Sequence, residues 1–243
     1  MHFRPLLWPT VASLIALGIL LALGQWQLER RDWKLDLIAR MEARLSAPTI
    51  SIGDIEAARA LDLAAHEFRH VEVTGTFLHD KEMHWFTQAP DIGPGYDVIT
   101  PLRLADGSYV LVDRGFVPER LKERPKRREG LVDGRVTLSG VVRASHQAGA
   151  LDAEDNPEAN TWFTRDVEKM AAHAEVTPVA PFLLIQDRGE VPGGWPRPGA
   201  SIVKLKNDHL QYALTWFGLA GCLIAVYFAY HVTQGRLSFG RRR

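Results

Sequence analysis

Two long stretches without a charged side chain lie near the ends of this chain, and they constrain its fold more than any other feature. No Asp, Glu, Lys or Arg occurs from Pro5 to Leu28 or from Leu210 to Gln234. An α-helix rises about 1.5 Å per residue, so the first stretch would reach about 36 Å, and a bilayer's hydrocarbon core is about 30 Å thick. We therefore predict transmembrane helices over residues 6–28 and 209–231, with one soluble domain over residues 29–208.

The first stretch has a competing interpretation as a cleavable signal peptide, because Ala22-Leu23-Gly24 resembles a small-residue cleavage site. Its apolar region is longer than a typical signal core, and it continues through Trp26 and Trp33 as an interfacial anchor would. We expect an uncleaved anchor.

Composition narrows the classes of partner. The formal net charge is zero, which argues against nucleic acid as the main partner, since such proteins carry a basic surface. The single cysteine, Cys222, lies inside the second stretch, so this sequence cannot build a disulfide framework, a CxxC metal motif or a thiol nucleophile from it.

Basic residues on both sides of the spans give an ambiguous orientation. Two spans place both termini on one side of the membrane. Arg4, Arg236 and residues 241–243 flank the terminal side, whereas the loop side carries Arg30, Arg31, Lys34, Lys204 and Lys206. The Arg-rich tail favours cytoplasmic termini (residues 1–5 and 232–243) and a central domain outside the cytoplasm.

The central region changes from helical to strand-like patterns. Helical character continues to Leu45, and a second helix is expected from Asp54, as its N-cap, to about Ala65. Strands are expected at residues 69–77, 83–87, 97–104, 109–117, 135–144 and 182–186. Asp106-Gly107 is typical of a tight hairpin turn. Residues 166–174 are expected to form a short helix. The Pro/Gly-rich segment Pro192–Gly199 is expected to be a linker. The predicted fold is a β-rich α+β domain with antiparallel strands, a small barrel or sandwich.

His66-Glu67-Phe68-Arg69-His70 matches the HExxH motif of zinc proteases. That chemistry needs both histidines on one helical face. The second histidine here leads into a strand pattern, where residues four apart are about 13 Å from each other. A coincidental match at a helix-to-strand junction is therefore expected, without zinc.

Residues 120–128 contain six basic side chains and one Glu around Pro125. They predict either a solvated loop or a patch that meets anionic headgroups or an acidic partner. The run itself does not choose between them.

The facing ends of the two predicted spans carry the candidate binding residues. In a two-helix hairpin the segment from Gly24 to Arg30 and the segment from His209 to Trp216 lie at the same depth. His209, Tyr212 and Trp216 share one side of the second helix. The predicted site residues are Gln25, Trp26, Arg30, Arg31, His209, Tyr212 and Trp216.

Two interpretations of His209 stay open from these residues alone. It is either an interfacial histidine in an aromatic belt or an axial ligand to a haem whose macrocycle lies in the outer leaflet. The second would use flat aromatic surfaces and place Arg30, Arg31 and Lys34 near the propionates.

Six segments of the chain resemble the surfeit-locus (Shy/Surf) family of cytochrome c oxidase biogenesis proteins. The resemblance covers nearly the whole chain, and it departs from the family pattern mildly at Phe116, where many relatives carry Trp. Its marks are Gly24-Gln25-Trp26-Gln27 with Arg30 and Lys34, Val73-Thr74-Gly75-Thr76-Phe77, Pro94 to Leu102, Val112 to Pro118, Asn160 to Trp162 and His209 to Trp216.

The resemblance implies a non-enzymatic assembly factor of the inner membrane, with the central domain in the periplasm. It implies haem a binding through His209, which would be the axial ligand of the haem iron. It also implies partnership with the oxidase catalytic subunit and with the haem a synthesis machinery. Because Met1 to Pro5 leave no room for a transit peptide, the expectation is a bacterial protein. The competing hypotheses are a membrane-anchored scaffold that binds no haem and a tethered zinc hydrolase.

Overall fold

The computed structural model describes residues 2–150, 152–200 and 206–238. The basic residues Lys204 and 241–243, which entered the prediction of topology, lie outside this part of the chain. Two compact units are present: a helical unit of Met1–Arg40 with Leu205–Arg243, and a β-rich unit of Met41–Lys204.

Helices and strands are numbered separately in chain order. The α-helices are α1 (Leu7–Leu45), α2 (Ile55–Ala60), α3 (Leu63–His66), α4 (Val167–His173) and α5 (His209–Thr233). The strands are β1 (His2–Phe3), β2 (Ile50–Ile52), β3 (His70–Phe77), β4 (Met83–Ala89), β5 (Gly93–Arg103), β6 (Tyr109–Pro118), β7 (Arg135–Ala144), β8 (Val179–Ile185) and β9 (Leu237–Ser238). Short 3-10 helices cover His79–Lys81, Glu119–Leu121, Arg124–Gly130 and Pro192–Gly194.

Helices α1 and α5 are both long and apolar enough to cross a bilayer, as predicted. Protein covers 6% of the most apolar window of α1 and 11% of that of α5, so these are not core helices of a soluble protein. Their charge-free surfaces are left for lipid. At their far end β1 pairs antiparallel with β9, and the Thr10 and Tyr227 hydroxyls are 2.7 Å apart.

The two helices pack closely through small buried residues. A stripe of Gly221, Ala225 and Ala229 looks suited to close packing, but all three are exposed. The buried small residues of α5 are Ala213 and Ala220, and on α1 Gly24 is buried. A Cβ at Gly24 would lie 2.5 Å from the Phe217 ring.

The β-rich unit is built around a closed five-stranded barrel. Strands follow the order β3-β7-β8-β6-β5, and a further pairing of β3 with β5 closes the ring. Neighbours are antiparallel except β6 and β8, which run parallel. β2 adds a parallel strand beside β3, and β4 extends the sheet beyond β5. Of the predicted barrel and sandwich, the barrel is confirmed.

Gly75 allows the barrel to close. A Cβ at this position would lie 2.4 Å from the carbonyl oxygen of Arg103 on β5. The closing pairs, Thr76 with Arg103 and Phe77 with Leu102, follow directly. A side chain at residue 75 would therefore push these two strands apart.

Alternating side chains of the strands fill two large apolar clusters, and a third, small cluster contains Tyr96, Val98 and Val117. One large cluster occupies the barrel interior, where Val112 and Phe182 meet residues of α2 such as Ala58. The other large cluster lies on the outer face against α4, where Leu111 and Met170 surround the fully buried Trp162. Because both faces of β6 and β8 are covered, β8 is apolar throughout and β6 is apolar except at Asp113 to Gly115.

The six predicted strands are all present, with ends that differ by up to four residues. The short helix predicted over residues 166–174 is present as α4, with Asp166 as its N-cap. The predicted helix from Asp54 to Ala65 is wrong in its continuity. Asp54 does cap α2, but Leu61 is extended and Asp62 caps a separate helix, α3. An Asp side chain that accepts backbone N–H groups favours a new helix start over helix continuation.

The Pro/Gly-rich segment predicted as a linker is partly structured. Arg197 and Phe116 exchange backbone hydrogen bonds of 2.9 and 3.0 Å, so this segment pairs with β6. Strand β2 was missed because three residues, Ile50–Ile52, are too few to show a period.

Candidate functional site

The side chain of His209 is held by one polar contact at the facing ends of α1 and α5. His209 is the first residue of α5, and its Nδ1 lies 2.7 Å from Oε1 of Gln27 on α1. An amide oxygen can only accept, so Nδ1 carries the proton and donates it to Gln27. Nε2 is then the unprotonated nitrogen, and no partner for it occurs among the described residues. This is the tautomer in which a histidine can bind a metal through Nε2.

A helical stripe of α1 aligns this end of the hairpin. Gly24 packs on Phe217, and Gln27 accepts from His209. The Arg31 carbonyl accepts from Nδ2 of Asn207 at 3.3 Å, and Nζ of Lys34 donates to the Lys206 carbonyl. The spacing of 24, 27, 31 and 34 is that of one helical face. The predicted meeting of the two segments at one depth is therefore observed.

Gln27 is not among the predicted site residues, although it belongs to the Gly24–Gln27 segment that resembles the surfeit-locus family. Gln25 was chosen instead, but it is exposed and donates to Glu29 at 3.3 Å on its own helix. The two residues are separated by the packing of Gly24 on Phe217 of α5: Gln27, three residues after Gly24, shares that face of α1, whereas Gln25, one residue after it, does not.

The predicted aromatic residues flank the histidine without enclosing it. Trp26 is 47% exposed and Tyr212 is 57% exposed, so both rings face lipid or the interface. Trp216 is half-buried on α5. An open depression of about 610 Å³ runs along this end of α5, and its lining comprises Asn207, Asp208, Leu210, Gln211, Leu214 and Thr215. His209 is not part of that lining.

All three predicted cations, Arg30, Arg31 and Lys34, lie at this end of α1. The Arg30 guanidinium is 5.7 Å from the Trp26 ring centre and 5.5 Å from that of Trp33, so it is stacked between aromatic faces. Arg31 pairs with Asp32 at 3.3 Å. Lys34 is directed to the Lys206 carbonyl, and Lys206 pairs with Asp208 at 2.9 Å. Arg30 is therefore free of carboxylate pairing among the described residues.

These residues fit an axial haem ligand by the chemistry of the donors. One neutral imidazole presents Nε2 with its tautomer fixed by a second residue, which is the usual arrangement at a metal-binding histidine. The Trp26 and Tyr212 rings supply exposed flat apolar surface, and Arg30 supplies a cation.

The HExxH residues do not converge. His66 ends α3, and its Nδ1 is 2.9 Å from the Asp62 carbonyl. His70 begins β3, where its Nδ1 is 3.0 Å from the Leu45 carbonyl and its Nε2 is 3.0 Å from Oδ2 of Asp187. Phe68 between them has a positive φ of 70°. The match therefore spans a helix-to-strand junction, as predicted, and both His70 nitrogens have protein partners.

Part of the basic run 120–128 is structural. Arg127 is buried, and its guanidinium pairs with the buried Glu82 carboxylate. Burial raises the pKa of Glu82, but hydrogen bonds from His84 and Arg127 outweigh it, and the pKa is lowered overall. The neighbouring Lys126 and Arg128 are exposed. Lys126 and Arg128 are therefore solvated, as one of the two interpretations expected, whereas Arg127 anchors the segment to the barrel unit.

Two carboxyl groups are buried together on β5 and β6. Asp97 and Asp113 are each 1% exposed, at a point where the register of the two strands shifts. Burial and the neighbouring Asp97 raise the pKa of Asp113 well above its usual range, although the Gly115 amide donates to it at 2.9 Å. The pair favours a state that retains a proton.

Comparison with known proteins identifies the family. The model of the SURF1 family matches residues 14–221. A SURF1-like protein of Monosiga brevicollis is 39% identical over 218 residues, which cover 84% of this chain and 80% of the relative. Surfeit locus protein 1 of Homo sapiens is 35% identical over 222 residues, covering 85% and 72%. That of Gallus gallus is 38% identical over 214 residues, covering 81% and 67%.

The match spans both helices and the barrel, and it includes Gln27 and His209. These relatives are eukaryotic, so the expected bacterial origin is not confirmed by them. The chain belongs to the SURF1 family.

Proposed function

We propose that this chain is a non-enzymatic assembly factor for a haem-a-type cytochrome c oxidase. It binds haem a at the facing ends of its two transmembrane helices and aids insertion of that haem into the catalytic subunit. Membership of the SURF1 family supports the assembly role. The contact between His209 and Gln27 supports the haem site and is the observation that carries the proposal.

The residues have separate roles in this proposal. Nε2 of His209 would ligate the iron, while Gln27 holds the imidazole by accepting from Nδ1. Trp26, Tyr212 and Trp216 would contact the apolar macrocycle, and Arg30 with Arg31 would face the propionates. The bound haem supplies redox chemistry only after its transfer to the oxidase, so the chain's own task is to bind, orient and release.

The proposed location is a bacterial inner membrane, with both termini cytoplasmic and the barrel in the periplasm. Partners would be the oxidase catalytic subunit, the haem a synthesis machinery and the lipid bilayer. Orientation and organism stay predictions from the sequence.

The alternative function is a scaffold that stabilises the catalytic subunit without binding haem. Both functions predict co-purification with the oxidase, so that observation does not separate them. Haem content does.

The test is the haem content of the full chain, purified in detergent from cells that make haem a. We expect bound haem a in the wild type and a loss of about tenfold or more in His209→Ala, because one iron–imidazole bond is removed. His66→Ala is the matched control, since His66 is a half-buried histidine of the barrel unit whose Nδ1 contacts only the nearby Asp62 carbonyl. Colourless wild-type protein, or full haem occupancy in His209→Ala, would leave the scaffold as the function.

A further inference from the structure

The β-rich unit exposes one pair of large aromatic side chains. In the described part of Met41–Lys204, the large apolar residues with high exposure are Phe86, at 42%, and Phe163, at 36%. Their ring centres are 5.7 Å apart, so the two exposed rings form a single patch. Scattered surface apolar residues need no explanation, but a contiguous aromatic patch marks an interaction surface.

The patch continues through Tyr96 to the ammonium group of Lys122. The Phe86 ring lies 5.8 Å from the ring of the mostly buried Tyr96. Nζ of Lys122 lies 4.3 Å from the Tyr96 ring centre and donates to Oγ1 of Thr161 at 3.1 Å. The Glu119 carboxylate interacts with Tyr96. Two effects raise the pKa of Tyr96: burial, which is the larger, and the nearby Glu119 carboxylate. Nevertheless Lys122 has no carboxylate within 4.0 Å among the described residues.

The patch also lies on the edge of the sheet. β4 is the edge strand of the sheet. On its outer edge the Phe86 amide donates to the Trp162 carbonyl at 2.7 Å, and the Trp162 amide donates to the His84 carbonyl at 2.9 Å. Gln88, two residues further on, presents its backbone to the same side. No backbone partner reaches Gln88 on that edge from the residues that the structure describes. Open edge groups beside an apolar patch favour an extended segment as the occupant.

A second cation lies beside the same edge strand. The half-buried Arg165 guanidinium is 4.2 Å from the Trp85 ring centre and forms no ion pair within 4.0 Å in the described chain, although its charge acts on the buried Asp113 and partly offsets the rise in the pKa of that carboxyl that burial causes. An extended segment places successive side chains on opposite faces. A segment along this edge could therefore meet Lys122 with one carboxylate and Arg165 with another.

We propose that this surface, formed by Phe86, Phe163, Tyr96 and Lys122 on the β4 edge, docks an extended segment of a partner protein. The segment carries an aromatic or aliphatic side chain that packs on the two Phe rings, with carboxylates close to it in sequence. Charge complementarity to Lys122 and Arg165 selects this occupant. The surface is separate from the residues proposed to bind haem, so the inference does not depend on the haem site.

The test is photo-crosslinking of the full chain in its native membrane. p-Benzoyl-phenylalanine replaces Phe86 or, in a second strain, Phe163, because both positions already hold exposed aromatic rings. Thr76 is the control position, an exposed strand residue on β3. Adducts are purified, digested and sequenced by mass spectrometry, so that the attached peptide is known.

We expect residues 86 and 163 to attach to the same partner peptide, at least about fivefold more than residue 76, because docking contacts concentrate at exposed apolar anchors. That peptide should carry Asp or Glu within a few residues of the attached apolar side chain. Lys122→Glu should reduce the yield at residue 86 by about fivefold or more, since it opposes the segment's charge. Circular dichroism of each purified variant checks that the barrel remains folded.

Other outcomes overturn the proposal. Adducts with lipid would make the surface a membrane contact, and adducts with a second copy of this chain would make it a self-interface. Equal yields at residues 86 and 76, a peptide without nearby carboxylates, or a yield unchanged by Lys122→Glu would equally contradict a docked acidic segment.

Discussion

At the scale of single residues, the Gln27 side chain determines how the His209 imidazole is presented. Gln27→Leu removes the acceptor for Nδ1–H, so the ring loses its fixed tautomer and orientation. Loss of such a supporting residue weakens metal affinity by about 10- to 100-fold. We expect haem titration of the purified variant, followed by absorbance, to show a weakening of this size.

Gln25→Leu provides the matched control, because Gln25 bonds to Glu29 rather than to His209. Its haem affinity should equal that of the wild type. Equal affinities for all three proteins would show that Gln27 does not support the ligand.

The buried Glu82–Arg127 pair should contribute to stability at neutral pH. Arg127→Met leaves Glu82 charged and buried without its partner, and breaking such a pair costs about 3–5 kcal/mol. Thermal unfolding of the purified protein should therefore shift to a clearly lower temperature. Arg128→Met, at the exposed neighbouring residue, should change the free energy of unfolding by about 0.5 kcal/mol or less. Similar losses in both variants would argue against a specific role for the pair.

Asp113 should make the barrel less stable as the pH rises. Its pKa is raised in the folded state by burial and by Asp97, so above the unfolded pKa the folded protein binds more protons than the unfolded one. The free energy of unfolding therefore falls from about pH 4 up to the raised pKa, and the loss persists at higher pH.

Asp113→Asn removes this titration and keeps an oxygen for the Gly115 amide. We expect the variant to gain stability over the wild type at about pH 8 and to gain less at about pH 4. Denaturant unfolding at both pH values measures the difference. If Asp113→Asn were less stable than the wild type, and the difference in free energy of unfolding grew with pH, the charged carboxylate would instead stabilise the barrel.

At the scale of elements, closure of the barrel depends on the absence of a side chain at residue 75. Gly75→Ala places a Cβ against the Arg103 carbonyl, and such overpacking costs about 1–3 kcal/mol. The matched control is Gly53→Ala, where a Cβ meets no atom within 4 Å. Chemical denaturation should separate the two variants by that amount. Equal midpoints would mean that β3 and β5 adjust without loss.

The strands were predictable because their apolar patterns are long and their turns carry clear signals. At the β5–β6 turn, Gly107 has a positive φ of 84°, and Oδ1 of Asp106 accepts from the Ser108 amide at 2.9 Å. Strand order was not predictable, because the parallel pairing of β6 with β8 joins segments about 70 residues apart in the chain. The break between α2 and α3 was missed because a second Asp cap outweighed good helix formers.

The candidate site was predictable to the level of segments but not of side chains. Charge-free spans and their polar ends placed His209 opposite the end of α1, and the contact with Gln27 agrees. Choosing Gln27 over Gln25 needed the rotation of α1 about its axis. That rotation is set by the packing of Gly24 on Phe217, which sequence periodicity does not give.

At the scale of the whole molecule, the chain combines a pair of helices long and apolar enough to cross a bilayer with a β-rich barrel unit. The hairpin carries the proposed iron ligand, and the barrel carries an aromatic surface whose residues are not among those proposed to bind haem. The SURF1 relatives match over both units. A protein that brings a cofactor to a partner needs both a cofactor ligand and a partner surface, and our two proposals assign one to each unit.

The most direct measurement is resonance Raman spectroscopy of the reduced, haem-loaded chain, prepared with ordinary or ¹⁵N-labelled histidine. The account predicts an iron–histidine band that shifts with the isotope in the wild type and is absent from His209→Ala. A band that persists in His209→Ala, or one that is insensitive to the label, would contradict coordination of the iron by His209.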